Sequence, residues 1–314
     1  MEFCDLEDKY GQKFIEGKNF KSIEIKNGNT KCVMVKKYWS EYLEDMKNFE
    51  VFEDDVWVIS YPKCGTTWTQ EMTWLLNKDL DYDEAMQNKL NFRFPYIEFG
   101  GISDEISINT IDKCNKLSRP RHIKSHLPVF LLPEQLWTVK PKIIYITRNP
   151  KDAVVSYFHH YRNIIGYLGS RDEFFDFFLN DKLVYSPFSS HVIEFWKISK
   201  ENSNVLFLFY ENLKKNLDNE VKKVMKFLNK NYTQDQVDKL CEHLSFDSMK
   251  KNVSINWKPN TLPREVENQT EEKFEFIRKG IVGSHKKEMT ENQISRFNDY
   301  LNRFSDYSEL LENF

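Results

Sequence analysis

Lys63, Cys64, Gly65, Thr66, Thr67 and Trp68 follow, after Tyr61-Pro62, the apolar run Val56-Trp57-Val58-Ile59-Ser60 and precede an apolar-periodic stretch carrying Met72, Leu75 and Leu76. A strand, a tight turn and a helix start make an anion site, because first-turn N–H groups lack intrahelical acceptors and point toward the ligand. Gly65 permits close backbone approach, the two threonines add hydroxyl donors, and Lys63 brings a point charge that can reach a bridging oxygen. An ordinary strand-to-helix connection with a threonine cap has the same local form. The pattern is not a Walker A loop, since the lysine precedes the only glycine of the segment.

Other reactive side chains fall at similar places. Lys124 and His126 close the run His122-Ile123-Lys124-Ser125; two apart in extended backbone, they share a face. A lysine beside a histidine favours the neutral imidazole that a general base needs, although a pair of solvent-facing polar residues would read the same. Ile143-Ile144-Tyr145-Ile146-Thr147 ends in Arg148-Asn149-Pro150, delivering a cation where a nucleotide hydrolase would place a magnesium-binding aspartate. Arg148 with Ser156 suggests a clamp for a second phosphate, and Arg278-Lys279-Gly280 sets two cations beside a flexible glycine. Tyr210 directly follows Val205-Leu206-Phe207-Leu208-Phe209, from where its hydroxyl could bond a base edge. His159 and His160 lack further ligands for a metal and read as helix-surface or pocket-lining residues, like Phe158 beside them.

The elements that must position these groups are short β-branched runs separated by helical stretches. The runs from Val56, Ile143 and Val205 are continuously apolar, as in strands covered on both faces, and His122–Ser125 is a weaker strand. Helices are predicted over 67–76, 151–164 and 187–200. Capping boxes are expected at Ser170/Glu173, Thr233/Gln236 and Thr290/Gln293. This alternation predicts an α/β fold: one domain over 1–314, with a central, mainly parallel sheet flanked by helices and ligands beyond the C-terminal strand ends.

With 314 residues, 40% hydrophobic and 15% aromatic, the chain can bury a large core. Its net charge of −3, from 45 basic and 48 acidic residues, gives no general field for nucleic acid or an anionic membrane. No stretch approaches the roughly 20 apolar residues of a membrane span. The charged start, Met1 to Gly17, lacks an apolar signal core, so a cytoplasmic protein is expected. Five scattered cysteines without a Cys-x-x-Cys pair suggest reduced thiols, and the Asn-x-Ser/Thr triplets at Asn231, Asn252 and Asn268 are read as chance.

Taken in order, these motifs resemble the cytosolic sulfotransferase family from about Val56 to Thr290. Tyr61-Pro62-Lys63-Cys64-Gly65-Thr66-Thr67-Trp68 is similar to its 5′-phosphosulfate loop. Arg148-Asn149-Pro150-Lys151-Asp152 with Ser156 is similar to its 3′-phosphate motif, and Arg278-Lys279-Gly280 to its C-terminal phosphate loop. Lys124-Ser125-His126-Leu127-Pro128 matches the segment of the catalytic histidine. Ser245, Phe246 and Met249 match the stretch completing the adenine pocket with Tyr210, where Phe246 and Trp68 would sandwich the purine.

The resemblance implies 3′-phosphoadenylyl sulfate as co-substrate, its desulfated form PAP as product, no metal, and a small hydroxylated acceptor such as a phenol, steroid, retinoid or other alcohol. His126 would be the base of an in-line displacement, with Lys63 and Lys124 assisting. Tyr96, Phe99, Phe158 and His160 would line the acceptor pocket together with residues 1–50. A mobile loop over about 252–290 would close on the nucleotide. Two other outcomes keep the same site: dehydration of an alcohol through a transient sulfate ester, or nucleotide binding without turnover.

Three departures stand out. Gly283-Ser284-His285-Lys286-Lys287 and Met289-Thr290-Glu291 replace the family's usual continuation and dimer motif, which implies a monomer or a differently formed dimer. Leu244 stands where threonine is common near adenine. Cys64 replaces a frequent serine, as a small packing residue or a redox-sensitive thiol.

Overall fold

The structure is a computed structural model and describes residues 1–6, 22–102, 108–256 and 275–314. The 257–274 part of the expected mobile loop, with Asn268, lies outside the described residues.

Four strands form the central sheet, β4 (Val56–Ile59), β5 (His122–Ser125), β6 (Lys142–Thr147) and β7 (Val205–Phe209), in the order β5-β4-β6-β7 and all parallel. Their continuous hydrophobicity follows from burial on both faces. Trp57, Ile59, Ile143 and Tyr145 enter one core, and Val56, Val58, Ile144 and Ile146 enter the other, as the two-residue period of a strand requires.

The longer helices are α1 (Thr66–Asn77), α2 (Pro150–His160), α3 (Arg171–Leu179), α4 (Phe188–Glu201), α5 (Leu217–Phe227), α6 (Gln234–His243) and α7 (Glu291–Leu301). Met72, Leu75 and Leu76 of α1 join the second core, while Ala153, Val154 and Val155 of α2 join the first. Each large side chain removed from water in this way contributes about 1.5–3 kcal/mol. All three expected capping boxes are formed, at the starts of α3, α6 and α7.

Helices α1 and α2 therefore leave the neighbouring strands β4 and β6 on opposite faces. The chain enters the sheet at β4, adds β5 on one side and then β6 and β7 on the other. That makes the C-terminal ends of β4 and β6 the switch point, the crevice where such sheets hold ligands.

A second sheet was not anticipated from the sequence. β1 (Glu2–Asp5), β2 (Ser22–Asn27) and β3 (Thr30–Val35) form an antiparallel meander. It is fastened to the main body by two backbone bonds, Val33 N–H to the Ser186 carbonyl at 3.0 Å and Tyr185 N–H to the Val33 carbonyl at 2.7 Å. Among the described residues, no helix is long and apolar enough to cross a membrane.

Candidate active site

The loop after β4 turns into α1 through Lys63 at φ 68° and Gly65 at φ 104°. A Cβ on Gly65 would lie 2.8 Å from Tyr210 Cδ2 and 3.2 Å from Ile146 Cδ1, so both conformation and space demand glycine. No side chain caps α1. The Thr66 hydroxyl turns inward, 2.6 Å from Ser60 Oγ, which leaves the first-turn N–H groups as the helix start's outward donors. Cys64 is fully buried in the first core; burial pushes its thiol up, and it fills space there.

His126 is held at three points. Its N–H donates to Glu98 Oε1 at 2.6 Å, its carbonyl lies 2.9 Å from His191 Nε2, and its Nδ1 lies 2.7 Å from the Ser60 carbonyl. A carbonyl oxygen can only accept, so Nδ1 carries the proton and Nε2 is the ring's acceptor nitrogen. His191 is oriented in turn by Tyr145, whose hydroxyl is 2.8 Å from His191 Nδ1. Burial, and after it the charge of Lys124, hold His126 well below the usual histidine range and therefore neutral. The sequence reading weighed the lysine; burial is the larger cause.

Lys63 is pulled down to about 7, first by burial and then by Lys124, Arg148 and Arg278. Lys124 is pulled down to about 8 by burial, with Glu98 opposing, and its ammonium sits 4.3 Å from the Tyr96 ring centroid. His160, whose buried Nδ1 has no partner among the described residues, is lowered by burial and then by Lys63 and Lys124. Cations that disfavour one another's charge around one crevice are the electrostatic form of an anion site.

Arg148 lies with its guanidinium 4.2 Å from the Tyr210 ring centroid, donates to the Ile281 carbonyl at 2.9 Å, and among the described residues its buried Nε has no partner. Trp68 meets Tyr210 edge-on at 5.7 Å between centroids, and its buried indole N–H likewise has no partner among the described residues. Ser156 sits part-way along α2, half-buried.

Residues 275–285 run across this crevice. Phe276 lies 4.7 Å from the Lys63 ammonium, Gly280 packs against the Phe246 ring, and Asp152 accepts from the Gly283 and His285 N–H groups at 2.6 and 2.9 Å. His285 Nδ1 and the Ser284 hydroxyl bond the same carboxylate at 2.8 and 3.1 Å. Ser284 and His285, departures in the sequence, are thus the anchor of the strap. Arg278 and Lys279 both reach Glu288. Ser245 caps the helix Phe246–Lys251, and Met249 packs into the second core, against which Trp68 and Ile277 also lie.

On the acceptor side, the Tyr96 and Tyr185 hydroxyls touch, and both rings lie edge-on to His126, at 5.1 and 5.7 Å. Phe99 is tilted against Tyr96 at 5.6 Å. Of the N-terminal segment, Tyr42 bonds the Ile108 carbonyl, and Tyr38 and Tyr42 pack on Gly100 and Gly101 behind Phe99. Phe158 is placed differently, 3% exposed among Tyr167 and Phe174.

Ser60, Glu98, Asp152, His191, His285 and Glu288 were not assigned roles from sequence. Glu98 had a usable signal, an ionisable residue set among the aromatics Tyr96 and Phe99. Among the described residues, no three His, Cys, Asp or Glu side chains are arranged to hold a metal.

A parallel α/β sheet that gathers Lys63, Lys124 and Arg148 around the His126 imidazole and the start of α1 at its switch point has the charge and donors suited to an anionic ligand. A family profile described as a sulfotransferase domain matches residues 53–312. Luciferin sulfotransferase of Photinus pyralis is 37% identical over 275 residues, covering 83% of this chain and 74% of that protein. Sulfotransferase 1E1 of Bos taurus is 38% identical over 258 residues, covering 80% and 84%. A solved structure of retinol dehydratase with retinol and PAP superposes with TM-score 0.85 at 25% identity over 97% of both chains. Mouse sulfotransferase SULT7A1 complexed with PAP gives 0.68 at 27% identity, over 90% of this chain and 96% of that one. The chain belongs to the sulfotransferase family of enzymes.

Proposed function

We propose that this enzyme moves a sulfuryl group from 3′-phosphoadenylyl sulfate to the hydroxyl of a small apolar acceptor, with His126 as general base. The observation that carries the reading is the His126 tautomer. With Nδ1–H fixed on the Ser60 carbonyl, Nε2 is left to take the acceptor's proton, between Tyr96 and Tyr185 and beside Lys124.

The donor fits the residues present. The Gly65 turn brings the loop backbone against Tyr210 and Ile146, which a Cβ would prevent, and among the described residues Arg148 Nε and Trp68 Nε1 are buried donors without partners. When bound, 3′-phosphoadenylyl sulfate supplies an activated sulfuryl group and a leaving phosphate. Lys63 and the amides of Thr66 to Trp68 hold that phosphate; Lys124 supports the charge; Arg148, Ser156, Arg278 and Lys279 hold the 3′-phosphate. Donors aimed at developing charge are worth about 3 kcal/mol each. Trp68, Tyr210 and Phe246 shape the purine site.

The test is transfer of labelled sulfate to a panel of phenols, steroids and retinoids, with His126→Ala beside the natural enzyme. Transfer to no acceptor, or an unimpaired variant, overturns the reading.

A second reading is favoured by one observation, the TM-scores of 0.85 and 0.86 with retinol dehydratase structures over nearly the whole chain. In it the sulfate ester is transient and an alkene leaves. Product mass separates the two, since a sulfate ester retains the sulfuryl group and the alkene has lost the elements of water.

A further inference from the structure

Glu288 stands where the strap meets α2. Its Oε1 accepts from Arg278 Nη1 and Lys279 Nζ, both at 2.8 Å, and its Oε2 from His159 Nε2 at 2.7 Å. Arg171 Nη1 donates to its backbone carbonyl at 2.5 Å, fixing the residue's position. The carboxylate is only 10% exposed, and its charge-assisted bonds come from three different side chains. His159 lies three residues after Ser156 on α2, so the two share a helix face about 5–6 Å apart. The carboxylate is therefore gripped by Arg278 and Lys279, the two cations assigned above to the 3′-phosphate, and by a histidine one turn along α2 from Ser156.

We propose that Glu288 is an internal competitor for the 3′-phosphate: its carboxylate closes the Arg278–Lys279–His159 clamp in the free enzyme and is displaced when a 3′-phosphorylated nucleotide binds. This inference rests on the nucleotide assignment made above and adds the regulation of that site. A phosphate monoester carries up to twice the charge of a carboxylate and three terminal oxygens, matching three donors where Glu288 offers two oxygens. A nucleotide without the 3′-phosphate has nothing with which to displace the carboxylate and leaves the clamp shut. Glu288 then does two things at once. It lowers the apparent affinity for the full nucleotide by the fraction of molecules with the clamp open, and it keeps Arg278 and Lys279 from collecting other anions. Burial would raise the Glu288 carboxyl, but the bonds from His159, Lys279 and Arg278 outweigh it and hold the group ionised, so the competitor is always charged.

Calorimetric titration of the full chain with adenosine 3′,5′-bisphosphate and with adenosine 5′-monophosphate tests this. Glu288→Gln keeps the shape and removes the charge; it is expected to bind the bisphosphate about tenfold more tightly and the monophosphate within about twofold of the natural enzyme. Glu288→Asp, which keeps the charge on a shorter reach, is expected to fall between. Unchanged or weaker bisphosphate binding in Glu288→Gln, or equal tightening for both nucleotides, overturns the competitor. Bisphosphate binding no tighter than monophosphate binding in the natural enzyme overturns the 3′-phosphate assignment itself and this inference with it.

Discussion

His126 Nδ1 lies 2.7 Å from the carbonyl oxygen of Ser60, whose hydroxyl is 2.6 Å from Thr66 Oγ1 at the start of α1. One residue at the tip of β4 thus ties His126 to the loop that starts α1, so that the proposed base and the proposed phosphate cradle hold a common register.

Because the ring's bonds all run through Nδ1 and the main chain, removing the ring should spare the nucleotide site. His126→Ala is expected to lower kcat by about 10²–10⁴, with the Kd for adenosine 3′,5′-bisphosphate within about twofold. A parallel loss of nucleotide affinity would assign His126 to the fold.

Nucleotide binding should take up a proton. In the free protein, burial and the charges of Lys124, Arg148 and Arg278 bring Lys63 to about 7. A phosphate beside it favours the charged form and raises it again. Affinity for the bisphosphate should therefore fall as pH rises above about 7, by at most tenfold per pH unit for each proton linked. Lys124, at about 8, adds a second component. Lys63→Arg, charged at all these pH values, should remove the first component. Titrations in buffers of different ionisation enthalpy would detect the proton directly; a flat profile and no uptake would contradict the assignment.

The strap should depend on Asp152. Burial would raise its carboxyl, but the His285 bond, the Arg148 charge and the His285 and Gly283 amides outweigh that and bring it to about 2. A carboxyl depressed on folding contributes stability above its unfolded value near 4, and loses that contribution as pH falls toward 2. Asp152→Asn is expected to cost about 1–3 kcal/mol and to speed amide exchange at Gly283 and His285. Unchanged exchange there would mean that the anchor lies elsewhere.

At Gly65 the backbone and Tyr210 leave no room. Gly65→Ala is expected to cost about 1–3 kcal/mol from the φ of 104° alone. It should also weaken bisphosphate binding, because the loop or Tyr210 must shift. Thermal unfolding and calorimetry would read the two effects separately, and natural values for both would show that the turn relaxes freely.

The four central strands and the helices after β4 and β6 could be read from sequence because continuous apolar runs and capping boxes are local signals. The motifs that carry Lys63, Lys124, His126 and Arg148 lie at strand ends, so the fold brings these four residues together. The Gly28-Asn29 turn between Ile23-Glu24-Ile25 and Cys32-Val33-Met34 was a usable hairpin signal, and Gly28 does adopt φ 58°. What holds the site in place was not legible. Glu98 to His126, His191 to His126 and Asp152 to His285 join residues 28, 65 and 133 positions apart, and no local pattern encodes such pairings. Phe158 shows the same limit, since its packing against Tyr167 and Phe174 joins residues that no local pattern pairs.

Tyr185, the ring that faces His126 across from Tyr96, takes its place from the bonds between Val33 and the Tyr185–Ser186 backbone. In the proposed function the acceptor's wall is therefore partly hung on the antiparallel meander, while the proposed transfer groups stand on the parallel sheet. Such a division makes the choice of acceptor and the chemistry separately adjustable. Changes in the hairpin at Asn27–Thr30 could move the wall without disturbing the base, which gives both evolution and protein engineering a handle on selectivity that never enters the reaction centre.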